Sequence, residues 1–340
     1  MESQTCKQCG EKAKILLPYG PHAFCAEHFN AYFENRIRKT IRENELLKRN
    51  EKILMALSGG KDSMVLLHVL HKYYARTNSL HALLIDEGIA GYRENAIALA
   101  VQACDARSVP YTIVSHQEEF GFTNNQIAPV IFATPELGKS VCSYCGTFRK
   151  TLMNRYAKKL GADKLATGHN LDDEAQSVLM NVFDNHAAKM ASLGPMANNL
   201  SEDYVVPRIK PLYETPEKDI IAFASQNQIP HYSDECCPYS FKAKRNDFRA
   251  MLNNFEQKYP GTKHSVIRFL EDIKPQVPQS GTLKTLHACT ECDEPTPHAL
   301  CQACGKKGIL QKALETRKNT ARIEISAPSD AISCNTTKQM

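Results

Sequence analysis

No stretch of this chain is apolar over the roughly 20 residues that a helix needs to cross a bilayer. Its first residues, MESQTCKQCG, lack the basic-then-apolar order of a secretory leader. Both absences argue against a membrane protein and for a cytoplasmic one. Strong charge of one sign is missing too: the net charge is +5, which permits a nucleic-acid partner without requiring one. One particular glycine is also absent. The common nucleotide-phosphate loop places a glycine five residues before its Gly-Lys pair, and here Met55 stands that far ahead of Gly60-Lys61. LSGGKDS (57–63) is therefore a different phosphate loop, or none. What remains is ordinary for a globular chain: 340 residues, 42% hydrophobic and 23% charged, with room for one large domain or two smaller ones.

Thirteen cysteines are many for such a chain, and their spacing carries the information. Cys6-x2-Cys9 and then Cys25-x2-His28 offer four soft ligands in two knuckles; Cys289-x2-Cys292 and Cys301-x2-Cys304 offer four more. A C-x2-C turn lets two thiolates reach one tetrahedral ion, and in a cytosolic protein such pairs favour metal over disulfides. Unrelated buried thiols would hardly fall twice into complete sets of four. Each end thus reads as a structural zinc site with no open position for catalysis. His22 lies within the first set, but Cys25-x2-His28 is the cleaner knuckle and His22 is left out. The middle cysteines differ, because Cys142-x2-Cys145 has only Cys236-Cys237 as a distant partner. Three thiolates on one centre suit an iron–sulfur cluster with an open iron. A third zinc completed by His169 or an aspartate, or a redox disulfide, is the alternative.

The stretch FENRIRKTIRENELLKRNEK (33–52) predicts a solvated helix bearing Arg36, Arg38, Lys39, Arg42, Lys48 and Arg49. From residue 52 apolar runs alternate with helical patterns. Strands are predicted at 53–57, 80–85, 110–114, 164–167 and 205–209, and helices at 62–75, 92–107, 146–160, 172–184 and 216–227. Such alternation predicts an α/β fold with a parallel sheet covered on both faces. Ligands of these sheets sit beyond the carboxyl ends of the strands. Three polar clusters fall there: SGGKDS, Asp86-Glu87-Gly88, and the run from Gly168 to Asp173. A tight glycine turn with a surface lysine is the bland reading of SGGKDS. At a strand-to-helix junction, however, several backbone N–H groups and a helix N-terminus surround one anion. Ser58 and Ser63 add hydroxyls and Lys61 adds charge, so phosphate binding is preferred. Of Asp172 and Asp173, one is expected to cap the helix DDEAQSVLMNVF and the other to be free to hold Mg²⁺ near the phosphates.

Taken in order, LSGGKDS, IDEGIAGYR (85–93), VCSYCGTFRK (141–150), LATGHNLDDEAQSVLMN (165–181), PRIKPL (207–212), CPYS (237–240) and PGTK (260–263), with a zinc motif at each end, carry a specific resemblance. SGGKDS resembles the signature of the PP-loop ATP pyrophosphatases, which cleave ATP between the α and β phosphates and adenylate a substrate. Within them the chain is similar to the tRNA 2-thiolation family, the TtcA superfamily, in its branch with TtuA and the cytoplasmic tRNA 2-thiolation protein 1. The resemblance runs from Cys6 to Cys304. It implies an adenine nucleotide alpha hydrolase-like PP-loop domain over 52–230, after an N-terminal zinc finger (1–32) and a basic helical linker (33–51). A helical extension with the third cluster cysteine (231–284), a C-terminal zinc finger (285–311) and a tail (312–340), read as disordered, would follow.

The resemblance further implies ATP, with Mg²⁺, among Ala56, Ser58, Gly59, Gly60, Lys61, Asp62, Ser63, Ile85, Arg149, Gly168 and Asp173. It implies a [4Fe–4S] cluster on Cys142, Cys145 and Cys237, the Cys-Pro-Tyr context selecting Cys237 over Cys236. Lys61, Arg149, Asp173 and these three cysteines form the implied catalytic set. Arg149 stands where the family often has a lysine, so a basic group is kept. The segment VFDNHAAKMASLGP (182–195) is poor in arginine where the family commonly carries an arginine-bearing loop.

The implied function is a tRNA 2-thiouridine synthetase, an ATP-dependent tRNA sulfurtransferase. ATP would adenylate the uridine 2-oxygen and release pyrophosphate, with Lys61 and the loop amides stabilising the departing charge. Sulfur held on the open iron would then displace AMP from C2. Implied partners are tRNA, gripped by the zinc ends and by basic helices (36–52, and Lys242, Lys244, Arg245 and Arg249), and a sulfur donor such as a thiocarboxylated ubiquitin-like carrier. The resemblance also leaves room for a homodimer. Relatives modify wobble position 34 or T-loop position 54, and the sequence does not choose between them. A cytidine 2-thiolase shares the cluster but usually lacks both zinc ends, and a lysidine synthetase needs no central cysteines. A non-catalytic zinc-ribbon RNA-binding protein would have no use for an intact Ser58, Lys61, Asp62, Ser63 and Asp173.

Overall fold

The computed structural model describes residues 4–20, 22–137, 140–197, 205–233, 237–241, 243–277 and 286–319. The first knuckle carries an antiparallel pair, β1 (Ile15–Leu17) and β2 (His22–Phe24), and leads into α1 (Ala26–Glu43). There follow β3 (Lys52–Leu57), α2 (Lys61–Tyr74), β4 (Ser79–Asp86), α3 (Arg93–Asp105) and β5 (Tyr111–Ser115). Next come α4 (His116–Phe120), α5 (Asn124–Ala133), α6 (Val141–Lys159), β6 (Lys164–Thr167), α7 (Leu171–Phe183) and α8 (Ala187–Met190). The chain continues through β7 (Met196–Ala197), β8 (Arg208–Ile209), α9 (Glu217–Gln226), α10 (Arg245–Lys258) and α11 (Thr262–Ile273). A second small pair, β9 (His287–Ala288) with β10 (Pro295–Thr296), precedes α12 (Gln302–Asn319).

Six strands form the main sheet in the order β5-β4-β3-β6-β8-β7, all parallel except the edge strand β7. Helices cover both faces, which is why the central strands read as unbroken apolar runs rather than alternating ones. Their side chains still alternate between two cores. Ile53, Met55 and Leu57 of β3 with Leu80, Ala82 and Leu84 of β4 pack against α1, α2, α3 and α9. Leu54, Leu83, Ile85, Val114 and Leu165 pack against α5, α6 and α12. The two cysteine knuckles join these cores, one on each side. Leu17, Phe24 and Cys25 belong to the first, and Cys289, Cys301 and Cys304 to the second. A third core, built from α7, α10 and α11 around Tyr213, makes the helical extension.

Several expectations change. The strand expected at 205–209 is only Arg208–Ile209, and β7 pairs with it from outside. The helix expected from 146 begins at Val141, because a three-residue cysteine spacing suits one helix face as well as a metal turn. The tail expected to be disordered from 312 is helical to Asn319, and residues 320–340 lie outside the described residues. The stretch 33–52 is not a solvated helix throughout. α1 ends at Glu43 and buries Phe33, Ile37 and Ile41. Arg36 turns inward to Asp219 at 2.8 Å and hydrogen-bonds Tyr19 and Tyr32, so it is committed to joining the knuckle to α9.

Candidate active site

The strand order reverses at β3: the chain moves from β3 through β4 to β5 on one side and resumes with β6 on the other. The crevice between the carboxyl ends of β3 and β6 is therefore where a ligand of such a sheet sits. SGGKDS leaves β3 there, and the backbone shows why its glycines are needed. Gly59 has φ +80°, and a Cβ on it would lie 2.2 Å from the Ala96 carbonyl oxygen. Gly168, leaving β6, lies so close that a Cβ would be 3.0 Å from the Ser63 nitrogen. The two loops thus leave no room for side chains between them; the Ser58 and Gly60 amides rest on the Ser63 and Ser58 hydroxyls at 3.2 and 3.3 Å, and the first amides of α2 have no intrahelical partner and point to an anion. Ser58 and Ser63 tie the turn together: their hydroxyls are 3.1 Å apart, and the Ser63 hydroxyl donates to Gly60 O at 2.9 Å.

Lys61 opens α2 and donates to Glu217 Oε1 at 2.6 Å and to Asp62 Oδ2 at 3.2 Å. Burial alone would lower its pKa, but the carboxylates of Asp62 and Glu217 outweigh burial and raise it. The ammonium is held charged. Asp62 in turn accepts from Asn170 Nδ2 at 2.9 Å. Asn170 caps α7, accepting from the Asp173 amide, while Asp173 returns a contact to the Asn170 amide at 3.3 Å. Asp173 is therefore the capping partner. Burial and then the charge of Asp62 push it up to about 6, against the pull of Arg245. Asp172 is not free either, so the expected division between a cap and a free metal ligand does not hold. Its side chain is buried, ion-paired with Lys263, and accepts from the Glu217 amide at 2.8 Å. The group left facing the loops is Asp173.

Ala56 and Ile85 lie next to last in β3 and β4 beside these loops, and Arg93, which the sequence did not single out, with Glu87 of the expected Asp86-Glu87-Gly88 cluster, braces this end of the sheet. Buried Arg93 donates to Ser58 O at 2.6 Å and to Ile85 O at 3.1 Å, and it meets Glu87 at 2.5 Å. Glu87 also faces Arg149 at 3.4 Å. The only signal for Arg93 was its place inside IDEGIAGYR. Arg149 follows Cys142 and Cys145 along α6. Cys142 Sγ reaches Tyr239 O at 3.5 Å, in the turn closed by the Ser240 amide on Cys237 O at 2.9 Å. Burial pushes Cys145 up to about 12 and raises Cys142 and Cys237, while Arg149 pulls all three down. Arg149 stands one helical turn after Cys145 on α6, and Cys142 touches the turn that begins at Cys237. Cys236 and Lys242 lie outside the described residues. Of the other expected tRNA contacts, Lys244 is paired with Asp184, and Arg245 with Asp173 and Ser177.

The two outer sets close tightly. The ligand atoms of Cys6, Cys9, Cys25 and His28 lie within 4.8 Å of one another, as do those of Cys289, Cys292, Cys301 and Cys304. Cys9 and Cys25 are 3.8 Å apart, and Cys292 and Cys301 3.6 Å. Four sulfurs at about 2.3 Å from one tetrahedral ion are separated by about 3.8 Å, so both sets could hold a metal ion. Among the described residues Cys142, Cys145 and Cys237 do not form such a set.

Sheet, switch point and glycine-lined loop together define a PP-loop nucleotide-binding fold, and residues 29–256 match the PP-loop domain family. The chain belongs to the PP-loop family of tRNA 2-thiolation proteins. It is 35% identical over 316 residues to the tRNA 2-thiolation protein NcsA of Haloferax volcanii, covering 88% of this chain and 97% of that one. It is 37% identical over 310 residues to the cytoplasmic tRNA 2-thiolation protein 1 of Drosophila melanogaster, covering 88% and 86%. The U34-tRNA thiolase NcsA of Methanococcus maripaludis, solved with its [4Fe–4S] cluster, is similar in structure. Its TM-score is 0.71 at 33% identity, over 82% of this chain and 90% of that one.

Proposed function

We propose that the protein is a tRNA-uridine 2-sulfurtransferase that spends ATP as AMP and pyrophosphate. One observation carries the reading: a set of contacts leads from the phosphate loop to the helix that bears the thiols. Ser58 O is held by Arg93, Arg93 by Glu87 and Glu87 by Arg149, which stands one helical turn after Cys145 on α6. An activating loop and a sulfur-handling centre serve one substrate atom only if they are this closely coupled.

ATP fits the loop because Gly59 and Gly168 keep side chains out of it and the first amides of α2 have no intrahelical partner. The N-terminus of α2 and the Lys61 ammonium face the phosphates and stabilise charge as pyrophosphate departs. Asp173 would hold Mg²⁺ beside them. Arg149, on the thiol side, is placed to neutralise the α-phosphate once it is joined to the uridine 2-oxygen. Cys142, Cys145 and Cys237 would hold a [4Fe–4S] cluster; their spacing is wider than one tetrahedral ion draws together, and three thiolates leave one corner without a protein ligand. When bound, that group would supply a site for sulfide. Attack of sulfide sulfur on C2 would break the C2–O bond to the adenylate, releasing AMP and leaving the 2-thio group. The two outer sets would each hold a structural Zn²⁺, fixing the knuckles on opposite faces of the sheet.

The cations available for tRNA phosphates include exposed Arg38, Arg42, Lys48 and Arg49. A thiocarboxylated ubiquitin-like protein would bring the sulfur. No helix among the described residues is long and apolar enough to cross a membrane, in keeping with a cytoplasmic enzyme. The test is nucleoside mass spectrometry of tRNA from cells lacking the gene. Loss of 2-thiouridine is expected, and fragment mapping assigns position 34 or 54. Unchanged 2-thiouridine with loss of 2-thiocytidine would overturn the reading.

A further inference from the structure

We propose that Lys263, on α11 of the helical extension, is a positioning residue for Lys61 and sets its ammonium for phosphate chemistry through Asp172 and Glu217. This rests on the functional reading above, in which Lys61 acts on ATP. Lys263 and Asp172 form an ion pair with both side chains 5% exposed, deep between α11 and α7. Lys263 also donates to Asn253 Oδ1 at 2.6 Å, and its amide donates to Glu256 Oε2 at 2.8 Å, so α10 fixes it from the other side. Asp172 spends its second oxygen on the Glu217 amide at 2.8 Å. That amide is the first of α9, and the residue before it, Pro216, offers no side-chain cap. Asp172 therefore caps α9 from a neighbouring helix, where the N-terminal amides otherwise lack partners and favour negative charge. Glu217, so anchored, holds Lys61 Nζ at 2.6 Å.

Each link is short and buried or half-buried, and each constrains the next. Lys263 pairs with the Asp172 carboxylate in a place where an unpaired charge would be costly. Asp172 in turn fixes where α9 begins. The start of α9 sets Glu217, and Glu217 with Asp62 sets Lys61. An ångström of misplacement far from the chemistry can lower a rate by about a hundredfold. The helical extension is thus a working part of the nucleotide site as well as a neighbour of the thiols.

The test is a double-variant cycle read as the rate of AMP formation by the cluster-loaded protein with tRNA and sulfide. Lys263→Met should lower kcat by about ten- to a hundredfold while leaving KM for ATP within about twofold. In a Lys61→Ala background the same substitution should change the rate by less than about twofold, because the group it positions is gone. A general folding defect would cost the same factor in both backgrounds, and that result would overturn the proposal. Should Lys263→Met fold poorly, the charge-free pair Lys263→Met with Asp172→Leu removes the buried ion while still releasing the Glu217 amide. Wild-type kcat in that variant would also overturn it. Lys61→Ala alone separates the two ideas: if it keeps the wild-type rate, the functional reading itself fails, whatever Lys263 does.

Discussion

Gly59→Ala tests whether the loop geometry, and not merely its composition, makes the site. At φ +80° an alanine carries a backbone cost of about 1–2 kcal/mol. The larger effect is steric. The new Cβ would lie 2.2 Å from the Ala96 oxygen and 2.7 Å from its carbon, whereas real Cβ contacts do not fall below 3.0 Å. The contact must open by about 0.8 Å, and the obstacle is backbone in the first turn of α3, which cannot swing away as a side chain could. The loop moves instead, taking the Ser58 and Gly60 amides with it. A shift of that size at a phosphate cradle should lower ATP-dependent thiolation about a hundredfold, or about 2.7 kcal/mol in activation free energy. Gly121→Ala is the matched control. Gly121 has φ +83° at the end of α4, with nothing within 4 Å of its would-be Cβ. It should show the same backbone cost in urea unfolding and nearly full activity. The assay is 2-thiouridine formed per minute, with thermal melting to confirm folding. Equal activity in the two variants would refute the steric argument.

Further outcomes follow from the same contacts. Asp173 is raised to about 6 and is needed as a carboxylate, so kcat/KM for ATP should be flat above that pH and fall about tenfold per unit below it. Its folded-state pKa lies above the ordinary 3.8, so ionising it costs stability as pH rises between the two values; Asp62→Asn should move the acid limb to lower pH. An acid limb unmoved by Asp62→Asn would remove Asp62 as the cause. Arg93→Met should destabilise the fold by about 3 kcal/mol, since it leaves buried Glu87 with Arg149 alone and frees both Ser58 O and Ile85 O; urea unfolding measures it, and a loss under 1 kcal/mol would contradict the role. Cys237→Ala should abolish iron binding under anaerobic reconstitution while two zinc ions per chain remain, and Cys236→Ala should keep the iron; metal analysis showing a third zinc and no iron in the wild type would contradict the cluster.

The sheet was legible because strands covered on both faces write themselves as apolar runs, and ILMAL and LHALLI could be little else. β8 was read too long, at 205–209: Arg208 and Lys210 flank Ile209, and only Arg208–Ile209 find partners, in β6 and β7. The phosphate loop, both outer metal sets and the thiols of α6 stood out by residue type and spacing. The roles of the site's supports did not: Arg93, Glu87 and Lys263 fall inside the motifs, but nothing in the motifs names their partners, and Lys263 and Asp172 are 91 residues apart. Sequence spacing carries no sign of such pairs. The same blindness made Arg36 look like a surface cation, when burial beside Asp219 gives it an internal partner.

The most direct measurement follows the phosphates. With ATP labelled on the α-phosphate, tRNA and a sulfur source, the account predicts AMP, not ADP, formed in a one-to-one ratio with 2-thiouridine, none of it without tRNA, and a loss of at least about a hundredfold in Lys61→Ala. ADP as the main product, or undiminished thiolation by Lys61→Ala, would contradict it.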